Sequence, residues 1–117
     1  MPYDIYLPDF FQRVIKQLKK KYPHAGDDLK TGLGLLVRQP DLGKSIEGVE
    51  KVRKIRLRNS DVQKGKSGGY RLIYLEDDQN ELIIPLIMYS KSQREDVTVN
   101  ELRILIAKMN KDVSSFS

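Results

Sequence analysis

Three basic side chains recur at every second position of one short stretch: Lys54, Arg56 and Arg58, with Ile55 and Leu57 between them. That alternation belongs to a β-strand that shows its cations on one face and its apolar residues on the other. Arg71 lies in a second alternating stretch, and Tyr89 and Lys91 end a third. If the three stretches form a meander, Lys54, Arg56, Arg71, Tyr89 and Lys91 converge on one surface. Like charges facing one another destabilise a sheet. A cationic face without interleaved acids is therefore costly unless an anion binds there. Other chemistries are closed to this chain. With no cysteine it has no thiol nucleophile, no disulfide and no Cys-based zinc site. With His24 its single histidine, it has no His–His acid/base pair.

The charge distribution points the same way. The chain of 117 residues has 21 basic and 16 acidic residues, a net charge of +5. Between Lys51 and Arg71 stand eight basic residues (Lys51, Arg53, Lys54, Arg56, Arg58, Lys64, Lys66 and Arg71) and one acid, Asp61, so this block carries +7. The remainder, with 13 basic and 15 acidic residues, carries −2. So localised an excess suggests a polyanionic partner, in the first place nucleic acid.

Two glycine motifs do not hold up. Lys64-Gly65-Lys66-Ser67 contains the end of a phosphate-binding P-loop, but the glycine required five residues before Gly65 is Ser60, and a strand rather than a helix follows. Gly32-Leu33-Gly34 lacks the third glycine of a dinucleotide loop, its place being taken by Val37.

The elements that must position the cations follow from periodicity. Tyr3–Leu7 alternates and is expected as a short strand, and Pro8 keeps Leu7 out of helical angles. Asp9 is the expected N-cap of an amphipathic helix, Asp9–Tyr22, with Phe10, Phe11, Val14, Ile15, Leu18 and Tyr22 on its inner face. Asp27 or Asp28 is expected to cap a second helix reaching about Arg38, and Gln39–Glu50 to be a loop. Strands are predicted over Lys51–Arg58, Gly69–Glu76 and Glu81–Ser90, with Arg53 breaking the first alternation at its start. The third is apolar on both faces, which places it inside the sheet. Pro85 within it cannot donate to the ladder, so a bulge or an unpaired side is expected there. Thr98 and Glu101 form a capping box for a last helix with Leu102, Leu105, Ile106 and Met109 as its buried stripe. The expected architecture is a single α+β domain over residues 1–112 with a frayed tail at 113–117. Its order is β-α-α-β-β-β-α: a small antiparallel sheet with helices on one side.

Three segments together resemble a known family. They are Lys54-Ile55-Arg56-Leu57, then Lys64-Gly65-Lys66-Ser67-Gly68-Gly69-Tyr70-Arg71-Leu72-Ile73-Tyr74, then Ile87-Met88-Tyr89-Ser90-Lys91 followed by Asp96-Val97-Thr98. This set resembles the RelE/HigB-like toxins of bacterial type II toxin–antitoxin modules, within the RelE/ParE superfamily. The resemblance implies a RelE-like fold and an endoribonuclease that needs no metal and no cofactor and cuts mRNA in the ribosomal A site. In that reaction the ribose 2′-OH attacks the adjacent phosphate, leaving a 2′,3′-cyclic phosphate and a 5′-OH. The implied roles are Lys54 as base, its neutral form favoured by Arg56 and Arg71. Arg56 and Arg71 would sit on the phosphate, Arg71 bidentately. Lys91 matches a basic residue at the end of the last strand, and Tyr89 would stack on a base. Lys51, Arg53, Arg58, Lys64, Lys66 and Arg94 would extend the RNA-binding surface. The pattern departs from RelE at Ser92, where an arginine is expected, and at Thr98, where a tyrosine is expected. Arg94 and Asp96 are candidates to replace the missing groups, and His24 is assigned no role.

Two other readings compete. A ParE-like protein would share the fold and inhibit DNA gyrase by binding, but such chains generally lack the cationic set. A non-catalytic RNA-binding domain would need exposed aromatics between the basic strands, whereas Tyr70 and Tyr74 alternate with Leu72 as core residues do. The expected partners are mRNA, the ribosome and a cognate antitoxin carrying a DNA-binding domain, with an acidic or amphipathic segment that folds on the toxin. No membrane association is expected, because the longest apolar run, Leu82–Met88, is far short of the roughly 20 residues a span needs. With no signal-peptide pattern at the N-terminus, a cytoplasmic location is expected.

Overall fold

The computed structural model describes residues 2–62 and 69–114. A two-residue strand β1 (Asp4–Ile5) leads into helices α1 (Asp9–Lys21) and α2 (Ala25–Leu36). Strands β2 (Lys44–Ser45), β3 (Val52–Leu57), β4 (Tyr70–Asp77) and β5 (Leu82–Ser90) follow, and α3 (Val99–Ser114) closes the chain. The sheet order is β1-β5-β4-β3-β2. β1 runs parallel to β5 and the remaining pairs are antiparallel.

The α+β class and the element order are as read from the sequence, with one addition. Lys44 and Ser45, expected in a loop, pair with Lys54 and Arg53 as β2, so β3 is not an edge strand along its first half. The helix starts also differ. Pro8, not Asp9, holds the N-cap position of α1, and no side chain caps that helix. Proline's missing N–H costs nothing at a helix start, and Asp9 in the first turn suits the helix dipole. α2 begins at Ala25 with His24 at its N-cap position, so Asp27 and Asp28 lie inside its first turn. α3 runs through Ser114, two residues into the segment expected to fray, and residues 115–117 lie outside the described residues.

The helices do not lie on one side. α1 and α2 bury Phe11, Ile15, Leu18, Leu29, Leu33 and Leu36 against Leu57, Tyr70, Leu72 and Met88. α3 buries Leu102 and Met109 against Val52, Ile73, Ile84 and Leu86, on the opposite face. The physical reason is β4 and β5, whose apolar residues are consecutive rather than alternating. Both faces of such strands need cover, and side chains of this size gain about 1.5–3 kcal/mol each by leaving water. Close packing on the first face depends on Gly32: a Cβ there would stand 2.5 Å from Leu57 Cδ2.

The irregularity expected at Pro85 is present. Ile73 pairs with Ile87 but Tyr74 pairs with Pro85, leaving Leu86 as an extra residue in β5. Leu86 and Ile87 both turn toward α3, and beyond them the alternation resumes with Tyr89 on that side and Met88 on the other.

Candidate functional site

The α3-side face of the sheet has two halves. At one end Val52, Ile73, Ile84 and Leu86 are covered by α3. At the other, Arg56 stands directly opposite Arg71, and Arg71 directly opposite Tyr89. Lys54, paired with Ile73, is the diagonal neighbour of Arg71 on the same face. The two arginines reach one spot beside Gly69, where a Cβ would lie 3.8 Å from Arg56 Cγ and 3.9 Å from Arg71 Nη1. Arg56 is exposed and Arg71 half-buried. Among the described residues, Arg56, Arg58, Arg71 and Lys91 form no ion pair.

The loop between β5 and α3 closes one side of this face. Arg94 Nη2 donates to both carboxylate oxygens of Glu101 at 2.9 Å, and its Nε donates to the Asp96 carbonyl at 3.0 Å. Glu101 is also the far half of the capping box, accepting from Thr98 N at 3.1 Å while Thr98 Oγ1 accepts from Glu101 N at 3.1 Å. These bonds, the Thr98 amide foremost and then Arg94, hold the Glu101 carboxyl below its ordinary value. The loop so fixed brings Asp96 Oδ1 to 3.8 Å from Lys54 Nζ.

Tyr89 sits beneath this loop. It is 3% exposed, the Arg94 guanidinium lies 5.6 Å from its ring centroid, and its hydroxyl has no hydrogen-bond partner among the described residues. Burial raises the hydroxyl's pKa and Asp96 adds to the rise, while Arg71 and Arg94 oppose it. The tyrosine is therefore a neutral donor beneath the site, and its ring face is occupied by Arg94 rather than open to a base.

The remaining basic residues go elsewhere. Arg53 points to the α1/α2 side, where Nε bonds Glu76 at 2.9 Å and Nη1 bonds the Gly43 carbonyl at 2.8 Å. Lys51, in a left-handed conformation with φ 62°, is paired with Asp78 at the far end of β3. Arg58 follows β3 and borders a groove of about 290 Å³ shared with Asp28, Thr31, Leu35, Arg56 and Ser60. Lys91 is exposed just past β5. Lys64 and Lys66 lie outside the described residues. His24, given no role, donates at Nδ1 to Asp61 Oδ1 at 2.7 Å, while its backbone N–H donates to Asp61 Oδ2 at 2.8 Å. With Asp28 accepting from Ser60, this ties the segment after β3 to the start of α2.

No family model matches the chain. The structure is similar to that of the E. coli toxin RelE, solved in the free state as a mutant with two arginines changed to alanine. The TM-score is 0.58 at 23% identity, over 81% of this chain and 90% of that one.

The fold is that of RelE.

In this RelE-like framework, the described parts of the three segments that carry the sequence resemblance border one face: β3 with Lys54 and Arg56, the start of β4 with Arg71, and the end of β5 with Tyr89. What sequence reasoning missed is the pairing of Lys54 with Asp96 and the clamp of Arg94 on Glu101. The capping box announced Glu101's position, but nothing in one-dimensional spacing showed that Arg94 would close on it.

Proposed function

We propose that this chain is the toxin of a type II toxin–antitoxin pair and acts as an endoribonuclease on mRNA, engaging it on the ribosome. The observation that carries this reading is the cross-strand pair of unneutralised arginines, Arg56 and Arg71, with Lys54 beside them on an open sheet face. Such a pair is unfavourable by itself and becomes favourable around a phosphate. In the proposed reaction the scissile phosphate lies between Arg56 and Arg71. The 2′-oxygen attacks phosphorus, the bond to the 5′-oxygen breaks, and the products are a 2′,3′-cyclic phosphate and a 5′-OH. The arginines stabilise the charge that builds up on the non-bridging oxygens. Arg58 and Lys91 lie where they would follow the flanking RNA backbone, and their contribution is expected to be salt-dependent. A cognate antitoxin bearing a DNA-binding domain, and a cytoplasmic site of action, belong to the same proposal. The similarity to the toxin RelE supports it. So does the absence, among the described residues, of any helix long and apolar enough to cross a membrane.

The test is induced expression of the chain and of Arg71→Ala in a bacterial host, with primer extension on an abundant mRNA. Growth arrest with new 5′ ends in the coding frame, both lost in Arg71→Ala, is the expected result. Arrest with intact mRNA would instead favour the gyrase-binding alternative.

A further inference from the structure

Resting on the ribonuclease reading above, we infer that Asp96, and not Lys54, takes the proton from the attacking 2′-hydroxyl, and that Lys54 serves as a phosphate-binding cation. A lysine at neutral pH is an ammonium, which has three donors and no lone pair to receive a proton. To act as a base it must be neutral, and burial or surrounding cations are what favour that form. Lys54 has neither to the degree required. Its side chain is 37% exposed, and a carboxylate oxygen, Asp96 Oδ1, stands 3.8 Å from its ammonium.

Asp96 has what Lys54 lacks. Its side chain is 70% exposed, and at 3.8 Å it is too far from Lys54 for a hydrogen bond, so neither group is consumed by the other. Oδ1 accepts the Val97 N–H at 2.8 Å, and Oδ2 accepts nothing from any described residue. The carboxylate is also held in place. Its own carbonyl is bonded by Arg94, which is locked in turn on Glu101 at the start of α3. The charged and titratable groups around Asp96 and the Tyr89 that it faces are Lys54 from β3, Arg71 from β4, Arg94 and Glu95 in the same loop and Glu101 from α3. Three of these are cations.

The step balances without any further reactant. Asp96 Oδ2 takes the 2′-OH proton as the 2′-oxygen bonds to phosphorus. The 5′-oxygen leaves and takes a proton from water, and Asp96 returns its own proton to the resulting hydroxide. Lys54 keeps its charge throughout and binds a non-bridging oxygen.

The experiment is single-turnover cleavage of a ribosome-bound mRNA by the wild type, Asp96→Asn and Lys54→Arg. Asn retains an oxygen acceptor for Val97 N–H, and arginine retains the charge at 54 but cannot lose its proton. The expected result is a loss of at least about a hundredfold in Asp96→Asn, with Lys54→Arg within about tenfold of wild type. The wild-type rate should also change by less than about threefold between about pH 6.5 and 8.5, whereas a base that must first lose an ammonium proton gives a rate that climbs with pH. The inference is overturned if Lys54→Arg is as inactive as Lys54→Ala while Asp96→Asn cleaves normally, or if the rate climbs about tenfold per pH unit across that range. A wild-type chain that cuts no RNA would overturn the ribonuclease reading, and this inference with it.

Discussion

Arg53 and Arg56 stand on the same strand and face opposite sides of the sheet. Toward α1 and α2, Arg53 is neutralised. Glu76 takes its Nε, the Asp41 and Gly43 carbonyls take Nη1, and its side chain is 25% exposed. On the α3 side, Arg56 meets Arg71, and neither has a carboxylate partner among the described residues. An arginine with satisfied donors and an acidic partner is a structural bond. An arginine set against another arginine is a standing cost that only a ligand removes. The difference shows that density of positive charge does not mark a binding site. What marks it is positive charge that the protein leaves unanswered.

The two sides should therefore respond oppositely to mutation. The largest effect is expected from Arg71→Ala. Cleavage should fall by about 10²–10³, the usual cost of removing a group that stabilises transition-state charge, with the urea midpoint unchanged or raised. Measuring both on the same preparation separates the two roles. Next is Arg53→Ala, which leaves Glu76 half-buried without its partner. Denaturation should show a loss of about 1–3 kcal/mol, with cleavage per folded molecule unchanged. A cleavage defect there without a stability loss would break the distinction between the faces. Smaller is Arg56→Thr, which relieves the like-charge pair. It should gain about 0.2–1 kcal/mol in denaturation while weakening RNA cleavage.

The smallest effect concerns His24, on the α1/α2 side. The hydrogen bond it donates to Asp61, reinforced by that carboxylate's charge, raises the imidazole above its usual value. A raised pKa in the folded state means that the stabilisation is complete below about pH 6.5 and is lost as pH rises through the folded value. Comparison of wild type with His24→Ala over about pH 6 to 8 should show the wild type's advantage shrinking as pH rises. Equal slopes for the two proteins would mean that the pair does not contribute.

Much of this was legible in the sequence because it depends on local period. The alternation of Lys54 and Arg56 with Ile55 and Leu57 put the cations on one face, and Tyr70, Leu72 and Tyr74 were placed in the core, where each is fully buried. The capping box at Thr98 and the irregularity at Pro85 were also readable, each being a property of a few adjacent residues. What was not readable is pairing across distance. Arg53 and Arg56 look alike in a charge count, and only the register that sets Glu76 and the Gly43 loop beside Arg53 tells them apart. Asp96 follows Glu95 in a polar loop, and its approach to Lys54 depends on Arg94 folding back onto α3. The position of α3 was missed for a related reason. Its apolar stripe shows that it packs on something but carries no sign of which face receives it.

Leu86, the extra residue in β5, reaches well beyond its own position. A strand's side chains keep a two-beat rhythm, and one inserted residue moves everything downstream by half a cycle. Upstream of Leu86 the even-numbered Ile84 faces α3, and downstream of it the odd-numbered Tyr89 does. Loss of Leu86 itself would only close the bulge and keep Tyr89 opposite Arg71, but loss of Met88 beyond it by a single-codon deletion would bring Ser90 opposite Arg71 and turn the tyrosine toward α1. For most of the chain's surface, gaining or losing one residue is a matter for a loop. In the middle of β5 it decides which set of side chains the site receives, so the length of this buried segment is inherited together with the site's chemistry.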